Sequence, residues 1–134
     1  MPDILVDANV ILDIFLDDPV WGDWSADVLN RYGKTHTLVI NPIIYTEVSV
    51  GFARIEELDQ AISAAGFVIR EIPKEALFLA GKVYLSYRRN HGTKTSPLPD
   101  FLIGAQAAVL GWDLITRDLS RYQTYFHTVT CLSP

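Results

Sequence analysis

Cysteine is all but missing: Cys131 is the only one in 134 residues, so no intramolecular disulfide and no Cys-rich zinc site can form. Its expected place is that of a small buried hydrophobe. A long apolar run is missing too. The uncharged stretch from Phe101 to Trp112 falls short of the roughly 20 residues a membrane-crossing helix needs. Met1, Pro2 and Asp3 offer no basic segment, so no secretory signal is expected and the expected compartment is the cytoplasm. Positive charge is scarce: 11 Lys and Arg stand against 16 Asp and Glu, a formal net charge of −5. That excludes a surface made to coat nucleic acid broadly, which excess Lys and Arg would drive. Acids around a bound cation with a local basic rim are still allowed. The three histidines, His36, His91 and His127, lack metal-ligand spacing and are expected to be structural or surface residues.

Packing material, by contrast, is plentiful. Hydrophobic residues make up 49% of the chain, with six Phe, six Tyr and three Trp, which excludes disorder and suits one closed core. No repeat, low-complexity tract or linker divides the sequence, so residues 1–134 are read as a single domain. Ile4-Leu5-Val6, Leu38-Val39-Ile40, Phe67-Val68-Ile69 and Leu114-Ile115-Thr116 are short apolar runs of the kind buried on both faces of a parallel sheet. His127 to Leu132 predicts a last edge strand. Between them the spacing turns helical: Val10 to Leu16, Trp21 to Tyr32 ending near Gly33, Pro42 through Glu47 to Phe52, and Ile55 to Ala65 stopped by Gly66. A longer helix follows Pro73 and carries Ala76 to Tyr87. Residues 90–97 read as a loop, and a helix then opens at Leu98 or Pro99 and stops at Gly111. This alternation predicts a three-layer α/β/α domain around a mainly parallel sheet of four to five strands.

In such sheets, ligands bind beyond the carboxyl ends of the strands. Asp7 directly follows the first strand and Asp118 closely follows the fourth, while Asp100 opens a helix behind Pro99 and Glu47 lies in a helix beyond the second strand. Each acid has an ordinary explanation. Asp118 could cap a helix, Asp100 could complement a helix dipole, Glu47 could be an exposed helix residue, and Asp7 could simply end a strand. Gathered together they would repel, and a divalent cation would reverse the penalty. Oxygen ligands without His or Cys companions favour Mg²⁺ or Mn²⁺ over zinc.

Around these acids, Ile4-Leu5-Val6-Asp7-Ala8-Asn9-Val10-Ile11-Leu12 resembles the opening strand and first acid of the PIN-domain family, particularly the toxin ribonucleases of VapBC toxin–antitoxin pairs. Asn41-Pro42-Ile43-Ile44-Tyr45-Thr46-Glu47-Val48 is similar to that family's second motif. Pro99-Asp100-Phe101-Leu102-Ile103-Gly104-Ala105-Gln106-Ala107, followed by Leu114-Ile115-Thr116-Arg117-Asp118, is the closest match. The pieces occur in the right order and span nearly the whole chain. The resemblance implies Mg²⁺- or Mn²⁺-dependent cleavage of RNA phosphodiesters, with Asp7, Glu47, Asp100 and Asp118 as metal-binding acids and Asp7 and Asp100 as direct ligands. Asn9 and Thr116 would support the acids or a water. Ala8 stands where Thr or Ser is often found, and Gly104 where Ala is common. Phe101 and Leu102 stand where some members carry an extra acid, which leaves the number of metal ions open.

The resemblance also implies a homodimer and a small antitoxin partner lying across the groove. Trp21 and Trp24 could line that groove, although core packing is the simpler account. Arg88, Arg89, Lys94, Arg117 and Arg121 are candidates for a basic rim facing RNA phosphates, and an ordinary solvated role stands beside each. Two other functions compete with the ribonuclease. One is a catalytically silent PIN-like module that binds RNA or protein. The other is a metal-dependent phosphatase using Asp7, disfavoured because Asp7-Ala8-Asn9 lacks the usual second Asp. Gly81-Lys82 lacks the pattern of a phosphate-binding loop.

Overall fold

A computed structural model describes residues 1–90, 92–93 and 97–134. Its centre is a five-stranded sheet, parallel throughout, made of β1 (Asp3–Val6), β2 (Thr37–Ile40), β3 (Val68–Ile69), β4 (Asp113–Ile115) and β5 (Cys131–Leu132). The strand order is β3-β2-β1-β4-β5. The chain therefore builds outward from β1 in one direction, then crosses back to build outward in the other. Ile4, Leu5 and Val6 of β1 are 0% exposed, because neighbours flank the strand and helices cover both faces. This is why the run carries no polar alternation.

The helices are α1 (Ala8–Phe15), α2 (Gly22–Tyr32), α3 (Pro42–Val48), α4 (Ile55–Ala64), α5 (Lys74–Arg89), α6 (Leu98–Leu110) and α7 (Ser120–Tyr125). The architecture is the expected α/β/α sandwich, at the upper end of the expected strand number. The third predicted helix is shorter than its apolar pattern suggests. It ends at Val48 and tightens into a 3₁₀ turn over Ser49–Gly51, with the Ser49 hydroxyl bonded back to the Thr46 carbonyl, a local bond that competes with helix continuation. Phe67 lies outside β3, and the last strand keeps only two residues of the predicted edge piece. Gly111 takes a left-handed φ of 68° to end α6, the conformation that favours glycine at that stop.

Register places β1 and β4 side by side, with Val6 opposite Ile115. Their carboxyl ends sit next to the point where the chain reverses its direction of building, the expected position of a ligand crevice. Among the described residues, no helix is long and apolar enough to cross a membrane.

Candidate active site

Asp7 is the first residue beyond β1. Its backbone N–H still donates to the Ile115 carbonyl at 2.9 Å, so it stays tied to the sheet while its side chain turns to cap α1. Oδ1 accepts from the Ala8 N–H at 2.8 Å. Oδ2 accepts from the Thr116 hydroxyl at 2.8 Å and from the Tyr122 hydroxyl at 3.1 Å. Thr116 is the residue just past β4, and its oxygen accepts in turn from the Asp118 N–H at 3.1 Å. Burial raises the Asp7 carboxyl above its ordinary value; the Thr116 bond partly offsets this and the nearby Asp100 charge adds to it. Tyr122 is pushed well above the usual phenol value by its own burial and by Asp7 and Asp100, so it remains a donor.

Glu47 rides on α3, which starts at the end of β2. There the Asn41 side-chain oxygen accepts from the Ile44 N–H at 2.8 Å and Pro42 occupies the first turn. The Asn41 amide donates to Gln106 Oε1 at 2.8 Å, and Gln106 Nε2 donates to the Glu71 carbonyl at 3.0 Å. Both amides are 0% exposed. This bridge fastens α3 to α6, and so fixes Glu47 relative to Asp100. Asp100 itself opens α6 one residue before Phe101, a fully buried ring 5.0 Å from Tyr125 and 5.8 Å from Tyr87 between centroids. One turn later, a Cβ on Gly104 would overlap the Phe126 ring, which explains glycine at this position.

These elements bring Asp7, Glu47, Asp100 and Asp118 to one open cavity of ≈ 410 Å³, lined also by Asn9, Arg121 and Tyr122. Among the described residues, Glu47 Oε1 is the one buried side-chain oxygen or nitrogen with no hydrogen-bond partner. Burial first, then Asp7 and Asp100, lifts the Glu47 carboxyl from 4.5 to about 7. Asp118 is the exposed member, at the lip, where Oδ1 accepts from the Ser120 N–H at 3.1 Å and its hydroxyl at 2.9 Å. Asn9 turns its side-chain oxygen to the Arg117 N–H at 3.2 Å.

The predicted basic residues separate. Arg121 reaches into the cavity and pairs with Asp100 at 2.7 Å. Arg117 is committed elsewhere: it makes two bonds to buried Asp13, 2.7 and 3.0 Å, with its guanidinium 5.3 Å from the centre of the Trp21 ring. Asp13 also accepts from the Ser25 hydroxyl at 2.8 Å. Arg88 and Arg89 are exposed in the last turn of α5 and do not line the cavity. Lys94 and His91 lie outside the described residues. Trp21 is 36% exposed just before α2, and Trp24 packs partly buried on the core.

Sequence reasoning missed Tyr122 and Asp13. Tyr122 lies four residues after Asp118, in the first turn of α7, close enough along the chain to Asp118 to be a candidate for the same edge. Asp13 interrupts the apolar face of α1, a signal that a buried partner awaits it.

Does this donor set suit a divalent cation? All four side chains offer hard oxygens, one such oxygen is buried without a partner, and Asp7 and Glu47 are both raised, by burial first and then by carboxylate neighbours. Among the described residues, no three His, Cys, Asp or Glu side chains converge tightly enough to hold a metal by themselves. A cation held there would have to keep several waters, as Mg²⁺ does.

Comparison with known proteins agrees in family and fold. The family model described as PIN domain matches residues 4–126. No curated protein sequence matches. Among solved structures, a chain of VapBC2 from Rickettsia felis, bound to a promoter DNA fragment, superposes with a TM-score of 0.75 at 15% identity, covering 98% of each chain. A DNA-bound VapBC chain from Salmonella typhimurium gives 0.72 at 14% identity, covering 99% of this chain and 98% of that one. A toxin–antitoxin complex from Klebsiella pneumoniae gives 0.68 at 22% identity, covering 96% of each.

Proposed function

The chain belongs to the PIN-domain family, and on that premise we propose that it is a divalent-metal-dependent endoribonuclease serving as the toxin of a toxin–antitoxin pair. The observation that carries this reading is the convergence of Asp7, Glu47, Asp100 and Asp118 from four separate segments on one cavity.

Asp7 and Asp100 would hold the cation, Mg²⁺ or Mn²⁺, with Glu47 and Asp118 reaching it through water. When bound, the cation supplies positive charge beside phosphoryl oxygens on which negative charge builds during in-line displacement. The chain's own residues do the rest. The Thr116 and Tyr122 hydroxyls hold Asp7 Oδ2, so the carboxylate needs no reorganisation during the reaction. Glu47 Oε1, without a partner, is the atom placed to take a proton from an attacking water. Burial, then Asp7 and Asp100, lift its carboxyl to about 7 without a cation, and a cation beside those acids would lower it again, leaving Glu47 ionised to accept a proton near neutral pH. Asn9 lines the same cavity and steadies the loop carrying Thr116 and Asp118 through the Arg117 N–H. Arg121 supplies a positive group at the cavity for RNA phosphates, and Arg88 and Arg89 form a more distant rim.

Two partner surfaces support the toxin reading. Ile11, Ile14, Phe15, Leu29, Ala65 and Phe67 line an open, largely apolar cavity of ≈ 320 Å³, suited to an apolar antitoxin segment. Exposed Leu77, Phe78 and Leu85 on α5 suit a second copy of the chain. The cytoplasm is the compartment consistent with this role.

The test incubates the purified chain with single-stranded RNA and Mg²⁺ or Mn²⁺, beside Asp7→Asn and Asp100→Asn. We expect cleavage that EDTA abolishes and that each variant lowers roughly a hundredfold or more, several kcal/mol of transition-state stabilisation. Cleavage that survives chelation, or variants as active as wild type, would sink the proposal. The Arg121–Asp100 pair and the wide spacing of the acids favour one other reading, a silent RNA- or protein-binding module. RNA binding without cleavage under every divalent ion would establish it.

A further inference from the structure

Arg121 puts a full positive charge inside the group of acids. Its Nη1 lies 2.7 Å from Asp100 Oδ2, with the two side chains 35% and 25% exposed. Both residues line the cavity that holds Asp7 and Glu47, and among the described residues neither of those two acids is ion-paired. Arg121 is therefore the counter-ion of Asp100, inside the cavity that the other acids line.

The two arginines of this region differ in how firmly they are held. Arg117 makes two bonds to a carboxylate that is only 4% exposed and lies over an indole ring; it is a structural tie. Arg121 makes one nitrogen-to-oxygen contact from the second residue of the six-residue helix α7, with a third of its side chain in solvent. A single, part-exposed contact costs little to open, and a long flexible stem lets the head move several ångströms without moving the helix.

We propose that Arg121 is an internal competitor of the divalent cation for Asp100 and sets the cation concentration at which the site loads. The proposal rests on reading the cavity as a cation site. A guanidinium and a cation drawn to the same carboxylate repel each other, so each weakens the other's hold. Without the cation, Arg121 offsets the mutual repulsion of the acids. As the cation binds, Arg121 loosens from Asp100 while its side chain still lines the cavity.

The test is isothermal titration with Mn²⁺ alone, read as a dissociation constant and not as activity. It compares wild type, Arg121→Gln, Arg121→Met, Arg121→Lys and Arg54→Gln. Arg54 is the remote control, since its side chain is 67% exposed and pairs with surface Glu56. We expect both neutral Arg121 variants to bind Mn²⁺ about tenfold tighter, the order expected for removing one part-buried unit charge beside the site. Arg121→Lys and Arg54→Gln should stay within about twofold of wild type. Circular dichroism melts confirm folding, and the Met variant keeps the aliphatic stem should Gln disturb α7. If wild type binds Mn²⁺ and the neutral variants bind no tighter, the competition is overturned and the metal site stands. Equal tightening by Arg54→Gln also overturns it, because bulk charge would then explain the effect. If no variant binds Mn²⁺, the metal site and the competition fall together.

Discussion

Glu47 combines a buried, unpartnered carboxylate oxygen with two carboxylate neighbours, and the consequence is a pH dependence of folding with an unusual sign. Its carboxyl rises from 4.5 to about 7 in the folded chain, so the folded state binds the proton more tightly than the unfolded one. Nothing is lost below pH 4.5, where both states are protonated. Between 4.5 and about 7 the unfolded state ionises first, stability falls as pH rises, and above that it levels. We expect the wild-type melting temperature in EDTA to fall across this window, and Glu47→Gln to remove much of that fall. Calorimetry at several pH values checks this; a slope unchanged in the variant would contradict it. At this scale the sequence is informative about which residues meet and poor about what each one touches. Asp7 and Asp118 are legible because they follow strands that pair in register, and Asp100 and Thr116 because the residues around them resemble the family's motifs. Glu47's missing partner, and the splitting of Arg117 from Arg121, depend on side-chain reach across distant segments, which spacing along one chain does not encode.

At the scale of elements, α6 holds the site by its two neighbours: the Asn41–Gln106 amide bridge to the start of α3, and the aromatic cluster beneath Phe101. Gly104 is where this packing is tightest. Alanine there would gain about 1 kcal/mol of helix propensity, but its Cβ would overlap the Phe126 ring. That ring is 4% exposed and packs 6.3 Å from Phe101, centroid to centroid, so it has little room to yield. Overpacking costs of about 1–3 kcal/mol should win, and we expect Gly104→Ala to lower stability by up to about 2 kcal/mol net in urea denaturation. A stabilised variant would show that the cluster repacks freely. Helices and strands were largely legible because their apolar periods differ. Their ends were less so: α3 stops at Val48 because the Ser49 hydroxyl takes the Thr46 carbonyl, and β3 shrinks to two residues because the Phe67 N–H bonds back to the Ile62 carbonyl at the end of α4. Both outcomes turn on single local bonds or contacts that periodicity averages away.

For the whole molecule, the strand order decides where charge accumulates. Reversal of building direction beside β1 leaves the ends of β1 and β4 together, and helices starting beyond β2 and before β4 bring Glu47 and Asp100 to the same edge. A chain already at −5 thus concentrates four acids in one place, where among the described residues a single arginine lines the cavity and pairs with Asp100. Such an arrangement is less stable alone than with a cation bound, and the difference is a measurable property of the fold. A ligand at 100 times its dissociation constant adds ~2.7 kcal/mol. For 134 residues, with unfolding entropy of roughly 2.1 cal/mol/K per residue, that corresponds to about 10 °C in melting temperature. We expect saturating Mg²⁺ or Mn²⁺ to raise the melting temperature by this order, EDTA to reverse it, and the Asp7→Asn, Asp100→Asn double variant to lose the response. KCl at matched ionic strength separates site binding from screening, because screening acts on all surface charges and a site acts through two carboxylates. If KCl reproduced the whole shift, the acids would be a charged edge of the sheet and not a cation site.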